Sequence, residues 1–334
     1  MASAHRSVHQ AQRKVTIEDV ARAAGVGRQT VSNVLNGSGR VGAAARARVL
    51  ETVDELGYHP HQGARSLRSR RTMQLAYLMP PVQLQPTNLI MMQFLQALLK
   101  AAAEQHYRVL VVPQEADPSA DIHSLVAGRI VDAFVLSDLQ PGDRRVELLD
   151  ALGMPFACMG RTGRGLPQSW VDIDNVEAEA EAVRHVLDRG CTRLAYVGYA
   201  SSDYWHVERE AGFRAGLASR GIPGEGVGLI RVGEEASART RIRSFLSSAQ
   251  PDAVLAGNDD IAVVGFEGGI NGDLLNPTLT SIIMPLEDIA GRVVDRALWQ
   301  VENGQDSEPG EIIPALLRLG RSVPPHPRRG TIAS

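Results

Sequence analysis

The chain has 334 residues, too many for one ordinary hydrophobic core and enough for two or three domains. Apolar residues make up 44% of it, so a sizeable folded core is expected. Its two cysteines, Cys158 and Cys191, lack metal-ligand spacing and argue against a disulfide scaffold. No apolar run approaches the length of a membrane span, and residues 1–14 lack the apolar stretch of a secretion signal. We therefore expect a soluble, cytoplasmic protein with no membrane association.

The net charge of −3 conceals an uneven distribution along the chain. Residues 1–72 contain 12 lysines and arginines against 5 acidic residues, whereas residues 73–334 contain 23 against 33. A basic head on an acidic body indicates that the head binds a polyanion such as a nucleic acid. An ordinary basic tail is the alternative interpretation.

Three short helices are predicted in the basic head. The first begins after Thr16, whose side chain suits an N-cap, and ends near Gly25, which permits a tight turn. The second covers about 27–35 and the third about 43–56, with Gly42 as a weak cap. This arrangement is typical of a helix-turn-helix domain. The side chains expected to face the interior are Val31, Val34, Leu35, Val49, Val53 and Leu56.

The second helix carries polar side chains on the face opposite its apolar residues. An arginine can bind guanine through two hydrogen bonds, and glutamine or asparagine can bind adenine in the same way. Such a face suits base edges in a DNA groove, although an ordinary solvated helix surface has a similar composition. The side chains on this face are Arg28, Gln29, Ser32 and Asn33.

Two stretches resemble the DNA-binding region of the lac repressor family. VTIEDVARAAGVGRQTVSNVLNG, at 15–37, is similar to the family's DNA-binding signature, and RARVLETVDELGYHPHQGARSLRSRRT, at 46–72, is similar to its third helix and hinge helix. The resemblance implies a disordered basic tail at 1–14, a DNA-binding domain at 15–59 and a hinge at 60–72. It implies base contacts from Arg28, Gln29 and Asn33. It also implies phosphate or backbone contacts from Thr16, Gln29, Thr30 and Ser32.

The hinge is too short and too polar to form a stable helix by itself. It contains Ala64 and Leu67 among four arginines. The resemblance implies that it folds on DNA, where Ala64 and Leu67 contact the duplex and Leu67 wedges into the minor groove. A flexible basic linker is the alternative. His61 departs from the asparagine that is usual in the family.

From residue 74 onward, apolar β-like runs alternate with helical patterns. This alternation predicts parallel sheets flanked by helices, in two α/β lobes with a ligand site at the carboxyl ends of the strands. The predicted strands are 75–79, 109–112, 133–136, 155–159, 171–173, 194–198, 227–231, 253–256 and 261–266, and the predicted helices include 90–105, 176–189, 205–220 and 286–302.

Segments of the body resemble the effector domain of the same family. VDIDN at 171–175, REAGFRAGL at 209–217 and PDAVLAGND at 251–259 are among them. The resemblance implies a fold like that of periplasmic sugar-binding proteins, with an effector-binding and dimerisation domain at 73–322 and a flexible tail at 323–334.

Arg209 matches the arginine that contacts the effector's polar groups in this family. Asn258, Asp259 and Glu267 match other ligand-facing positions, with glutamate where aspartate is usual. Such groups suit a polyhydroxylated effector, and a carbohydrate is expected. Pairing of Arg209 with a carboxylate on a helix surface is the alternative.

Four further polar residues lie near predicted strand ends. Ser137 and Arg161 are weaker candidates for effector contacts, because they follow strands and face the expected cleft. Asp172 and Asp174 are expected to cap and orient the end of their strand rather than to act as catalytic acids.

The strands at 253–256 and 261–266 are separated by only four residues. Adjacent parallel strands need a crossover of a dozen or more residues, and in the family a helix follows the Asn-Asp pair. A local hairpin, a strand left out of the sheet and a truncated version of a longer protein all remain open. The missing helix puts dimer contacts and effector binding in doubt.

These features predict a transcriptional regulator that binds a palindromic operator in double-stranded DNA as a homodimer. It is expected to be a repressor controlled by a small-molecule effector, with no metal or cofactor. The helix at 90–105, with Leu95, Leu98 and Leu99, suits either a dimer contact or the core, and the tail lacks the leucine heptads of a tetramer.

Three alternatives are a solute-binding module of a transport system, a regulator that has lost effector sensing, and an enzyme. The first would need export. The enzyme is disfavoured because the sequence has no GxSxG, P-loop or HExxH motif, and GRTGRG at 160–165 lacks the lysine of a phosphate loop.

Overall fold

The computed structural model describes residues 15–35, 39, 41–58, 71–79, 89–114, 117–163, 168–224, 227–233, 237–256, 264–266, 276–305 and 310–323. The chain divides into two compact units, Met1–Thr72 and Met73–Ser334. The expected tail at 1–14, nearly all of the expected hinge at 60–72 and most of the expected C-terminal tail lie outside the described residues. None of the helices in the described ranges is both long enough and apolar enough to cross a bilayer.

The described part of the first unit contains helices α1 (Ile17–Ala23), α2 (Arg28–Leu35) and α3 (Ala43–Glu55). Thr16 caps α1 as predicted, because its side chain accepts a hydrogen bond from the Asp19 backbone N–H and the Asp19 carboxylate accepts one from the Thr16 N–H. Gly25, at φ +67°, lies in the left-handed region and allows the turn into α2. Gly42 gives α3 no side-chain cap, as the sequence predicted.

The core of the first unit includes Val31 and Val49, which are fully buried as predicted. The prediction for Leu56 was wrong: its side chain is 36% exposed, and Tyr58 is buried in the same core. The physical reason is that α3 ends before Leu56. Gly57, at φ +58°, turns the chain back, so the helical spacing of apolar residues no longer determines which side chain points inward.

The second unit consists of alternating strands and helices in two lobes. Its elements in chain order are β1 (Gln74–Met79), α4 (Leu89–Glu104), β2 (Arg108–Pro113), α5 (Ser119–Ala127), β3 (Ala133–Leu136), α6 (Arg144–Ala151), β4 (Phe156–Met159), β5 (Trp170–Ile173), α7 (Asn175–Asp188), β6 (Leu194–Tyr199), α8 (Tyr204–Ala218), β7 (Gly228–Val232), α9 (Ala238–Ala249), β8 (Ala253–Ala256), β9 (Val264–Phe266), β10 (Thr280–Ile283), α10 (Leu286–Asn303), β11 (Glu311–Ile313) and β12 (Leu316–Arg318).

Each lobe is built on one six-stranded sheet. The first sheet has the order β11-β5-β4-β3-β1-β2, and all its strands are parallel. The second has the order β12-β10-β9-β8-β6-β7 and is parallel except for β12, which runs antiparallel to β10. The predicted two-lobed α/β fold with parallel sheets is therefore confirmed, with one antiparallel edge strand that the sequence analysis did not predict.

The chain passes between the lobes three times. It leaves the first sheet after β5 and returns after β10, where α10 packs against α4, β3 and β4 of the first lobe. It then adds β11 to the first sheet and β12 to the second. The first lobe is thus assembled from two separate segments of the sequence.

Strands β8 and β9 are adjacent and parallel, with Leu255 opposite Val264. The expectations of a local hairpin and of a strand outside the sheet were therefore wrong. Residues 257–263, which connect the two strands, lie outside the described residues. The strand at 261–266 was predicted too long at its start, since β9 begins at Val264.

Helices α7 and α8 pack closely against each other in the second lobe. A methyl group on Gly212 would lie 2.4 Å from the Val176 carbonyl oxygen and 2.8 Å from the Glu179 Cβ. Only a glycine permits this approach, which holds the start of α7 against α8.

We expect Gly212→Ala to lower the free energy of unfolding by about 1–3 kcal/mol, because the added methyl group forces the two helices apart. Gly291→Ala on α10 is the matched control, since its added methyl group meets nothing within 4 Å. It should stabilise the protein by about 0.4–1 kcal/mol. Urea unfolding measures both, and equal effects would contradict the close contact.

Candidate functional site

The polar face of α2 keeps its side chains accessible. Arg28 and Gln29 are exposed, while Ser32 and Asn33 are partly buried. The Gln29 Nε2 donates a hydrogen bond to the Asn33 Oδ1 at 3.0 Å, so two amide side chains form one row along the helix. The Arg28 Nε lies 3.2 Å from the Glu18 Oε1 on α1. This arrangement presents donors and acceptors suited to base edges.

Thr16 caps α1, and Thr30 lies on α2 next to Gln29. Thr16 is exposed and Thr30 is partly buried, so both lie where a nucleic-acid backbone could contact them. Ala64 and Leu67 lie outside the described residues, as do Asn258, Asp259 and Glu267.

The second unit gathers polar side chains where its lobes meet. Arg161 follows β4 at the carboxyl edge of the first sheet, and its Nε donates to the Asp172 Oδ2 at 3.0 Å. Its Nη2 donates to both carboxylate oxygens of Glu208, at 3.0 and 2.8 Å. Because Glu208 lies on α8, this ion pair joins the two lobes.

Arg209, the next residue on α8, is 2% exposed. Its Nε donates to the Asn175 Oδ1 at 3.1 Å, and the Asn175 Nδ2 donates to the Glu208 Oε2 at 3.3 Å. One asparagine at the start of α7 therefore holds both neighbours on α8. The two predicted arginines, Arg161 and Arg209, are linked through Glu208 and Asn175.

Aromatic rings surround both guanidinium groups. The Arg161 Cζ lies 4.8 Å from the ring centre of Trp170 and 5.1 Å from that of Tyr204. The Arg209 Cζ lies 4.4 Å from the ring centre of Trp205 and 3.4 Å from that of Phe266. Such contacts stabilise the cations. Aromatic faces beside hydrogen-bonding groups suit a ligand with both apolar and hydroxylated surfaces.

Burial shifts the protonation of the acidic groups near this junction. It raises the pKa of Asp172 and of Glu208, and Arg161 opposes the shift in both. Burial also raises the pKa of Glu179 to about 8, against the attraction of Arg209. Glu179 is therefore largely uncharged at neutral pH.

Ser137 is fully buried, and its hydroxyl lies 2.7 Å from the Tyr77 hydroxyl. It therefore contacts the first-lobe core rather than the group around Arg161. Asp174, which was predicted to cap the end of its strand, is the N-cap of α7, with its Oδ1 accepting from the Glu177 N–H at 2.8 Å. Asp172 accepts from the Ile173 N–H, as expected of a strand-end aspartate, and in addition holds Arg161.

Asn175, Glu208 and the four aromatic residues were not predicted from the sequence. Two of them had a usable signal, since Trp205 precedes Arg209 on the same predicted helix and Tyr204 lies directly before that helix, in a chain with only 4% aromatic residues. Glu208 and Asn175 had none, because their role depends on contacts between distant elements.

Comparisons with known proteins agree with this architecture. Residues 16–61 match the family described as bacterial regulatory proteins, lacI family, and residues 183–264 match a periplasmic binding protein-like domain. The transcriptional regulator CelR of Thermobifida fusca is 30% identical over 332 residues, covering 90% of this chain and 96% of that protein. Catabolite control protein A of Staphylococcus xylosus is 27% identical over 322 residues, with the same coverage of each chain.

Solved structures show the same fold. A complex of the regulator CelR with cellobiose has a TM-score of 0.66 and 25% identity, covering 92% of this chain and all of that one. A lac repressor dimer bound to operator and the anti-inducer ONPF has a TM-score of 0.78 and 21% identity, covering 93% of this chain and all of that one.

A helix-turn-helix head on a two-lobed α/β body defines a DNA-binding transcriptional regulator. The chain belongs to the lacI family of bacterial regulatory proteins.

His206, beside Trp205 and Arg209 on α8, provides a pH-dependent test of this buried environment. Burial and the neighbouring Arg209 lower its pKa from 6.5 to about 3. As pH falls below 6.5, the unfolded chain takes up a proton that the folded protein excludes, so this histidine makes stability decline between 6.5 and about 3. We expect His206 to account for about 2 kcal/mol of the stability lost between about pH 7.5 and about pH 5.

Urea unfolding of His206→Gln at both pH values measures this loss, and the variant should lose less stability than the wild type. His123→Gln on α5 is the control, because its side chain is exposed. If the free energy of unfolding had the same pH dependence in wild type and His206→Gln, the folded protein would not be excluding a proton from the His206 imidazole.

Proposed function

We propose that the protein is a cytoplasmic repressor that binds a palindromic operator as a homodimer and releases it when a carbohydrate effector binds between the lobes. The observation that carries the proposal is the combination, in one chain, of a polar recognition helix with two arginines held where the lobes meet. We assign it no catalytic role, since its relatives CelR and catabolite control protein A are regulators.

In this proposal, α2 enters the major groove. Arg28, Gln29 and Asn33 read base edges, and the hydrogen bond between Gln29 and Asn33 orients their amides before DNA is bound. Other side chains contact the DNA backbone and position the head on it, or contact DNA from the hinge. These are Thr16, Thr30 and Ser32 on the head, and Ala64 and Leu67 in the hinge, where Leu67 wedges into the minor groove.

The effector contacts Arg161 and Arg209, with the nearby aromatic rings covering the apolar faces of a sugar. The cellobiose complex of the related CelR supports a carbohydrate. Asn258, Asp259 and Glu267 complete the effector contacts in this proposal. Ser137 acts indirectly, because its hydroxyl is already engaged by Tyr77.

The ion pair between Arg161 and Glu208 couples effector binding to operator binding in this proposal. A ligand that alters this contact alters the orientation of one lobe relative to the other. A coupling free energy of about 1–3 kcal/mol would shift operator affinity roughly 5- to 150-fold.

Helix α4 supports the proposed homodimer. Its Leu98 is fully buried in the first-lobe core, but Met92 and Leu99 are 51% and 45% exposed. One face of the helix therefore packs in the core, and another face exposes apolar side chains to solvent. Burial of exposed apolar groups favours association of two copies.

A solute-binding module is the second candidate, because residues 183–264 match a periplasmic binding protein-like domain. The lacI-type match at 16–61 favours the regulator. The short connection between β8 and β9 also keeps open a regulator that has lost effector sensing.

Gln29→Ala tests the recognition helix. We first select bound fragments from a random DNA pool with the purified protein and expect a palindrome with a central pyrimidine–purine step. On that operator, Gln29→Ala should bind about 5- to 150-fold more weakly, with little change on random DNA, because a base contact is lost and phosphate contacts remain. Gln105→Ala, at an exposed glutamine of the body, is the matched control. An equal loss on random DNA would contradict base reading by Gln29.

A panel of neutral mono- and disaccharides, including cellobiose, tests the effector site. We expect one sugar to raise the Tm and to weaken operator binding by roughly 5- to 150-fold. Arg209→Lys should abolish both effects, because an ammonium group lacks the planar fork of donors. Arg214→Lys, at an exposed arginine of the same helix, should retain them. Operator binding that no sugar alters would indicate a regulator that has lost effector sensing.

A further inference from the structure

Two carboxylates hold the same guanidinium group at the lobe junction. Asp172 accepts from the Arg161 Nε at 3.0 Å, and both oxygens of Glu208 accept from its Nη2 at 3.0 and 2.8 Å. The Arg161 side chain is only 17% exposed, and those of Asp172 and Glu208 are 7% and 13% exposed. Partly desolvated charges of this kind interact strongly because water screens them little.

A planar guanidinium is the group that proteins commonly use to bind a carboxylate or phosphate ligand. At Arg161 that position is taken by a side chain of the protein itself. Glu208 reaches it from the opposite lobe and is kept in place by the Asn175 Nδ2, which donates to its Oε2 at 3.3 Å. Asn175 in turn is fixed by Arg209.

Among the described residues, the positive charge of Arg161 is paired with the carboxylates of Asp172 and Glu208 before any ligand binds. Burial keeps Glu179, beside Arg209, mostly neutral. A bound anion would add an unpaired negative charge beside two buried carboxylates, which costs free energy. A neutral ligand adds no such charge. It can still accept a hydrogen bond from the Arg161 Nη1, which has no hydrogen bond to any described residue.

We infer that Glu208 determines effector specificity by occupying the anion-binding position of Arg161, so that the site accepts an uncharged sugar and rejects sugar acids and sugar phosphates. This inference rests on the proposed effector site. It also gives Glu208 a role distinct from that of Arg209, which contacts the effector directly.

Inorganic phosphate is a probe that requires neither the operator nor the natural effector. We expect Glu208→Ala to bind phosphate at least about tenfold more tightly than the wild type, because the freed Arg161 then lacks its second anionic partner. Calorimetric titration at constant ionic strength measures binding, and the increase of the Tm with phosphate gives a second readout. The double variant Glu208→Ala with Arg161→Ala should lose the gain.

Glu177→Ala is the matched control. Glu177 also pairs with an arginine, Arg184, but the Glu177 side chain is 65% exposed and the pair lies in solvent. Its removal should create no phosphate site, because water and salt screen Arg184, whose side chain is 29% exposed. Glu208→Gln keeps the size of the side chain and removes its charge, so it provides a folded variant if Glu208→Ala does not fold. It should gain phosphate affinity by a smaller factor.

Three results would overturn the inference. They are phosphate binding by the wild type as tight as by the variants, a folded Glu208 variant without any gain, and a gain that persists after Arg161 is removed. Failure of the proposed function has a different signature, since no sugar would then alter operator binding whatever the phosphate titration shows.

Discussion

A guanidinium group that is removed from water must find its partners inside the protein, because it stays protonated at every physiological pH. Arg209 imposes this constraint on the second unit. Asn175 supplies an acceptor, and the rings of Trp205 and Phe266 lie close to the cation. The glycine contact between α7 and α8 brings Asn175 within reach. A buried cation is therefore part of the hydrogen-bonded group that continues through Asn175 and Glu208 to Arg161 of the first lobe.

Features encoded by short stretches of sequence were predictable. The strands at 133–136 and 253–256 match their predicted bounds, because each is a short apolar run between turn residues. Thr16 was recognised as a cap from its spacing to Asp19, and this too is a local relation. Arg161 and Arg209 were identified from a strand end and from a family resemblance, and the structure brings them into one hydrogen-bonded group.

Features that depend on distant contacts were not predictable. Glu208 was indistinguishable from a solvated glutamate, because its partner Arg161 lies 47 positions away in the chain. Strand β12 is short, and its Leu316 is 66% exposed, so it shows no alternation of buried and exposed residues. The parallel pairing of β8 and β9 was not expected from the usual crossover length, because fewer than a dozen residues separate the two strands in the sequence.

The two-segment construction of the first lobe has a consequence for biosynthesis. Its sheet begins with β1 but lacks β11, and its surface lacks α10, until the ribosome has made nearly the whole chain. At about 5–20 residues per second, the interval between β5 and β11 lasts on the order of ten seconds. During that time the nascent first lobe exposes the apolar surface that α10 later covers. This lobe, the first of the two to be translated, therefore stays incomplete until β11 is made, and β12 completes the second lobe directly afterwards.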